Sequence, residues 1–266
     1  MNHNRFFVSP SQISQTHIKI TDADNLHHIR VIRLRINDEI IVLDGKGNEY
    51  CARISSISKE QITASIVDHL VYPSPTLQIT IVQSMPKLDK VNLIVEKCTE
   101  IGASRIVLVE TSRSVKKQIN LSRLERIAMS ACSQSGRIFL PVIEEALFCD
   151  ALAMVKQNDL GLMLWEDAKC GIGSILRGTE NWFSNPPNDK QMADRNVRPP
   201  FPPASVVLFI GPEGGFSHEE ADEATRMGII PVSLGNQILR TETAGLVGLT
   251  IVAYEMGLLD NGGRVF

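Results

Sequence analysis

From residue 77 onward the chain alternates short β-branched runs with segments whose apolar residues recur at helical spacing, and few folds admit that alternation. The runs at 77–83, 105–110, 160–165 and 206–210 read as strands. The last two are continuously apolar, as expected of strands covered on both faces by helices. Between them, Leu88, Val91, Ile94, Val95, Cys98 and Ile101 keep a helical period up to Gly102, and Leu121, Leu124, Ile127, Ala128 and Ala131 do so again. The pattern predicts an α/β domain on a mainly parallel sheet.

The first 72 residues follow a different rule. Glu39-Ile40-Ile41-Val42-Leu43 and Tyr50-Cys51-Ala52-Arg53-Ile54 flank Asp44-Gly45-Lys46-Gly47-Asn48, a hairpin signal, and a further strand fits 61–67. Alternation through 30–35 places Arg33 and Arg35 on one strand face and Arg30 apart from them. Pro73-Ser74-Pro75 breaks both periodicities, giving a β-rich domain at 1–72 and an α/β domain at 73–266. Within the second, 178–204 holds six of the chain's thirteen prolines and no periodicity, so it reads as an insertion, with 180–203 dispensable for folding.

Composition excludes several classes. Five cysteines, Cys51, Cys98, Cys132, Cys149 and Cys170, show neither paired nor metal-like spacing, so no disulfide framework and no metal site is expected. The start lacks a secretion-signal layout and the longest uncharged apolar stretch, 243–254, is too short to span a bilayer, which makes a cytoplasmic location the default. Net charge is −3, yet 84–137 carries ten basic against five acidic residues, the one segment suited to phosphates.

The chemistry concentrates near the C-terminus. The strand at 206–210 runs into Gly211-Pro212-Glu213-Gly214-Gly215-Phe216-Ser217, and Ser217 with Glu220 forms a capping box that starts a helix. Such a turn lies at the carboxyl edge of an open sheet, where ligands bind. No Lys-Ser/Thr follows the glycines and Glu213 repels phosphate, so the ligand expected is not a nucleotide phosphate. A second strand exit, Leu234-Gly235, leads through Asn236-Gln237-Ile238-Leu239-Arg240 into a helix beginning Thr241-Glu242-Thr243-Ala244. Two glycine-bearing exits close in sequence suggest one pocket.

GPEGGFSHEE followed by LGNQILRTETA resembles the signature of the SPOUT methyltransferases, and within them the 16S ribosomal RNA uridine N3-methyltransferase family (RsmE). The resemblance covers nearly the whole chain. Arg5-Phe6-Phe7 and His28-Ile29-Arg30-Val31-Ile32-Arg33 are similar to its N-terminal PUA-like β-barrel domain, and Lys87, Lys97, Thr99-Glu100-Ile101-Gly102, Arg113-Ser114 and Gln134-Ser135-Gly136-Arg137 to its central motifs. It implies a trefoil-knotted C-terminal domain, a homodimer, and S-adenosylmethionine as methyl donor for 16S ribosomal RNA of the small ribosomal subunit. Carried over, Leu234, Gly235, Ile238 and Leu239 would cradle the adenosine. Ile210, Gly211, Pro212, Glu213, Gly214 and Gly215 would line the pocket, with Trp165-Glu166 at the exit of the third strand and Thr243-Ala244 close by. Arg5, His28, Arg30, Arg33, Lys87, Arg113 and Arg137 would face RNA. The chain departs from the family pattern at Ser133 and Gln237, which touches RNA or dimer contacts and not the donor site.

Methylating uridine N3 requires loss of an imide proton and stabilisation of charge on the base oxygens. Arg240 is the expected stabiliser, because a guanidinium offers a fork of donors, and an ion pair with Glu213 or Glu242 is its bland alternative. Glu242 joins it as a catalytic candidate, while Glu213 and Glu166 remain open as bases. Competing readings are methylation of another RNA atom, a non-catalytic ribosome-assembly binder, and a nucleotide-phosphate enzyme.

Overall fold

The computed structural model describes residues 4–114, 118–157, 159–177, 203 and 205–259. The expected insertion at 178–204 lies, but for Pro203, outside them. Two compact units divide the chain, one formed by residues up to 74 with 129–140 and the other by 75–128 with 141–265.

The first unit carries a five-stranded sheet in the order β1-β3-β4-β5-β2, from β1 (Arg5–Phe7), β2 (His17–Ile20), β3 (Glu39–Leu43), β4 (Asn48–Ile57) and β5 (Ile62–Val71). β3 and β4 form the expected hairpin, closed by Asp44, whose Oδ1 accepts from the Lys46 and Asn48 amides at 2.7 and 3.0 Å. Register shifts in β4 at Cys51/Ala52 and Ile54/Ser56 bend the strand, as extra unpaired residues do. Phe6, Ile18, Ile20, Ile40, Val42, Ile54 and Ile62 fill its core.

The strand expected at 30–35 is not there. Residues Ala23–Val31 form helix α1 instead. Asp22 caps it by accepting from the Asn25 amide at 2.8 Å, and Leu26 and Ile29, three apart, are the two side chains it buries. Arg30 is therefore helical, and Arg33 lies in the turn beyond at φ +58°. A polar nine-residue helix with only two buried positions leaves almost no periodic signal, which is why alternation was the easier reading.

The second unit is a six-stranded sheet, parallel throughout, in the order β11-β9-β10-β6-β7-β8. Its strands are β6 (Gln78–Ser84), β7 (Arg105–Glu110), β8 (Val142–Leu147), β9 (Asp159–Leu164), β10 (Ser205–Ile210) and β11 (Ile230–Val232). Its helices are α2 (Leu88–Ile101), α4 (Phe148–Leu152), α5 (Ile172–Leu176), α6 (His218–Arg226) and α7 (Thr241–Glu255), while α3 (Leu121–Ser135) is divided at 128/129 between the two units. Residues alternate between two cores: Ile79, Ile81, Leu208 and Ile210 pack in one with α2 and α7, Val82, Val107, Val207 and Phe209 in the other with α6.

β8 escaped the sequence reading because it is an edge strand of Val-Ile-Glu-Glu-Ala-Leu with only Ile143 buried. Trp165 consequently leaves the fourth strand of this unit, not the third. α7 is buried on the face that carries Gly245 and Gly248. Those glycines meet the chain's own sheet, Gly245 facing Gln83 and Ile210 and Gly248 facing Leu208 and Leu164.

Candidate functional site

A parallel sheet points every carboxyl end to one edge, and at that edge the exits of β6, β9, β10 and β11 converge. β6 connects onward to β7 on one side while β10 flanks it on the other, the strand-order reversal beside which open α/β sheets hold ligands.

The exit of β10 folds back on itself, and the Gly215 amide donates to the Pro212 carbonyl at 3.0 Å. Gly215 takes φ +68°, and a Cβ there would lie 3.1 Å from both carboxylate oxygens of Glu166. Only glycine serves on both counts. Ser217 and Glu220 then close the expected capping box of α6, at 3.2 and 2.8 Å. Ile210 and Pro212 are buried, so Ile210 offers this edge only its backbone. Across from the turn, the Trp165 amide donates to the Val232 carbonyl at 3.1 Å, and its ring meets His218 edge-on at 5.5 Å.

The exit of β11 is open. Gly235, at φ +118°, has none of the described residues within 4 Å of where a Cβ would stand, and Ile238 is 90% exposed. Leu234 and Leu239 are half-buried beside it. An accessible backbone flanked by one exposed and two half-buried aliphatic side chains suits a flat, partly apolar ligand such as an adenine ring. Arg240 follows as the N-cap of α7 in extended conformation, exposed, with half-buried Glu242 and Ala244 and exposed Thr243 in the first turn.

Among the described residues, Arg240 forms no ion pair with Glu213 or Glu242. Lys90 of α2 takes both acids: its Nζ lies 2.9 Å from Glu242 and 3.6 Å from Glu213. The Lys87 amide donates to Glu213 as well, at 3.1 Å, while its own side chain is exposed. Burial alone would raise both carboxyls. At Glu242 the Lys90 hydrogen bond, and at Glu213 the Lys87 amide, together with backbone donors and nearby cations, outweigh it and hold both below the ordinary value. The hydrogen bond to Glu242 raises Lys90 in turn. Nothing local in the sequence marks Lys90, a lysine three residues from Lys87 on an amphipathic helix, as the partner of these two acids.

Beneath these groups sits a buried polar chain. Gln83 Nε2 donates to Thr241 Oγ1 at 2.9 Å, and Thr241 Oγ1 donates to the Gly211 carbonyl at 2.6 Å. A glutamine directly after the apolar Ile81-Val82, near the carboxyl end of β6, was the available signal.

The residues expected to face RNA fall into two groups. His28, Arg33 and Lys87 are exposed. The others are committed within their own units. Arg5 pairs with Glu49 at 3.5 Å and donates to the Gly136 carbonyl at 3.3 Å, and Arg30 donates to the carbonyls of Ser58 and Lys59. Arg113 donates to the Gly214 carbonyl at 2.8 Å and to that of Phe216 at 3.4 Å, bracing the β10 turn. Arg137 is 4% exposed and burial lowers its pKa, so it does not present its charge to a surface ligand.

A family model described as an RNA methyltransferase domain matches residues 73–253, and one described as an RNA methyltransferase PUA domain matches 20–67. The Ribosomal RNA small subunit methyltransferase E of Synechocystis sp. is 31% identical, over 92% of this chain and 75% of that one. The chain belongs to this methyltransferase family. Its relative of the same name from Rickettsia conorii is 27% identical, over 95% of this chain and 96% of that one. The crystal structure of the Neisseria gonorrhoeae member, bound to S-adenosyl methionine, is similar with a TM-score of 0.77 and 27% identity, covering 95% and 97% of the two chains. The N-terminal unit is thus PUA-like and the C-terminal unit of the SPOUT kind, as the resemblance implied. No group of histidine, cysteine and acidic residues among those described could hold a metal ion, and no described helix is long and apolar enough to cross a membrane.

Proposed function

We propose that this chain transfers the methyl group of S-adenosylmethionine to N3 of a uridine in 16S ribosomal RNA of the small ribosomal subunit, as a cytoplasmic homodimer with a trefoil-knotted C-terminal domain. The observation that carries the reading is the pairing of the braced β10 turn with the open 234–239 loop at one sheet edge, under the capping Arg240. Leu234, Ile238 and Leu239 would hold the adenine, with Gly235 and the 211–215 backbone along the ligand. When bound, the donor supplies an electrophilic methyl carbon that needs alignment and no Lewis acid.

The protein's own part is orientation and charge. Arg240 is exposed at the lip, with its donor fork available to the oxygens of a uridine losing its N3 proton. Glu242 and Glu213 are held as carboxylates by Lys90 and accept a proton less readily than free acids. On this reading they anchor α7 to the β10 turn, and the N3 proton leaves to water. His28, Arg33 and Lys87 remain as exposed candidates for RNA contact.

Methylation of small-subunit RNA with labelled donor tests the reading. Arg240→Ala should lower the rate roughly a hundredfold, the scale of losing one oxyanion-type donor, with little change in donor affinity. A wild-type rate in that variant would remove Arg240 from the chemistry. The dimer is supported by exposed Leu93 and Tyr254 on the mutually packed α2 and α7, and sedimentation showing only monomer at micromolar concentration would refute it.

A further inference from the structure

Gln83, the penultimate residue of β6 at the carboxyl edge, is wholly buried, yet only half of its amide is used. Nε2 donates to Thr241 Oγ1 and to the Ser84 carbonyl, both at 2.9 Å, while Oε1 has no partner among the described residues. Rotating the amide by 180° gives no relief. The Ser84 carbonyl only accepts, so oxygen cannot take the place of nitrogen there. Oε1 is thereby turned toward α7, where a Cβ on Gly245 would stand 3.5 Å away. A buried acceptor without a donor costs stability, and an apolar side chain of similar shape would avoid the cost.

The partners of this amide show what the cost maintains. Thr241 is the first residue of α7, next to Arg240, and is 5% exposed. Its hydroxyl has one proton, given to the Gly211 carbonyl at 2.6 Å, so the Gln83 donor fills its acceptor side and leaves it one rotamer. One side chain of β6 therefore sets the start of α7 against the first residue of the β10 turn.

The geometry points to Gln83 as a positioning residue, which through Thr241 fixes the start of α7, and with it Arg240, against the β10 turn. This rests on the methyltransferase reading proposed above. Gln83 touches neither substrate nor donor. In Gln83→Met the Thr241 bond to Gly211 survives, so the donor side of the site stays in place while the α7 side loosens. In Thr241→Val both links go.

The test compares these variants in the full-length protein by melting temperature, donor affinity from calorimetry, and methylation rate on small-subunit RNA. Gln83→Met should melt at or above the wild-type temperature, bind S-adenosylmethionine within about threefold of wild type, and turn over at least about tenfold more slowly. That magnitude is a modest part of the hundredfold that a misplacement of about 1 Å can cost. Thr241→Ser should keep the rate. Thr241→Val should lose both rate and donor affinity, and Gln83→Met added to it should slow turnover no further, since the two act through one link. A rate loss in Gln83→Met matched by a drop in melting temperature would make the residue merely structural and overturn the proposal. So would an unchanged rate, or weakened donor binding at a wild-type rate. Should the wild-type protein transfer no methyl group to RNA at all, the failure would lie with the function and not with Gln83.

Discussion

Two glycines three residues apart on α7 should respond to the same substitution with opposite sign. Both are buried and helical, so replacing either by alanine removes backbone freedom from the unfolded chain and gains about 0.8–1 kcal/mol of helix propensity. At Gly245 nothing opposes the gain, because an added Cβ would meet its nearest neighbours, Gln83 Oε1 and Ile210 Cγ1, at 3.5 and 3.7 Å. At Gly248 it would stand 2.8 Å from Leu208 Cδ2 and 3.1 Å from Leu164 Cδ1. Leu208 is fully buried in the central strand β10, so the contact is relieved by forcing its rotamer or lifting α7. Overpacking of this kind costs about 1–3 kcal/mol. Gly245→Ala should therefore stabilise by up to about 1 kcal/mol and Gly248→Ala destabilise by about 0–2. For a chain of this size that separates the melting temperatures by several degrees. Denaturant unfolding at unchanged m-value is the assay. A Gly248→Ala protein at least as stable as Gly245→Ala would refute the packing of α7 on this sheet.

Arg113→Ala should weaken S-adenosylmethionine binding several-fold with little change in melting temperature, since it unbraces the turn at Gly214 and Phe216, and calorimetry showing unchanged affinity would contradict that. Glu213 and Glu242 have lowered folded-state values, so the stability they bring is present above the unfolded carboxyl value of about 4.3 and lost as pH falls below it. The stability gap between wild type and Lys90→Met should accordingly be widest near neutral pH and close below about pH 4, and a gap constant from pH 7 to 3 would deny the clasp. Burial pushes the Cys98 thiol to about 12 and Cys132 to about 11, whereas Cys149 is exposed. A thiol reagent at pH 8 should label Cys149 at once and Cys98 and Cys132 only on unfolding, as peptide mapping would show.

The parallel sheet, the hairpin at Asp44 and the helix begun by Ser217 were legible because each has a local cause in the chain: continuous apolar runs, glycines at a tight connection, a reciprocal cap. α1 and β8 were not, because each buries so little that no period survives. Among the site residues, the glycine-rich turns announced themselves through backbone requirements. Whether a given arginine faces solvent is decided by tertiary partners, Glu49 for Arg5 and the Gly214 carbonyl for Arg113, which no spacing encodes. The same holds for Lys90 with Glu242 and Glu213 and for Gln83 with Thr241, pairs more than 120 residues apart in the chain.

Nucleoside mass spectrometry of small-subunit ribosomal RNA, from cells with and without the gene and after incubation of the unmodified RNA with purified protein and S-adenosylmethionine, tests the central claim most directly. The account predicts that 3-methyluridine is absent without the gene and restored by wild-type protein, and that Arg240→Ala restores it about a hundredfold more slowly. Persistence of 3-methyluridine in cells lacking the gene, or restoration of a different methylated nucleoside by the protein, would contradict it.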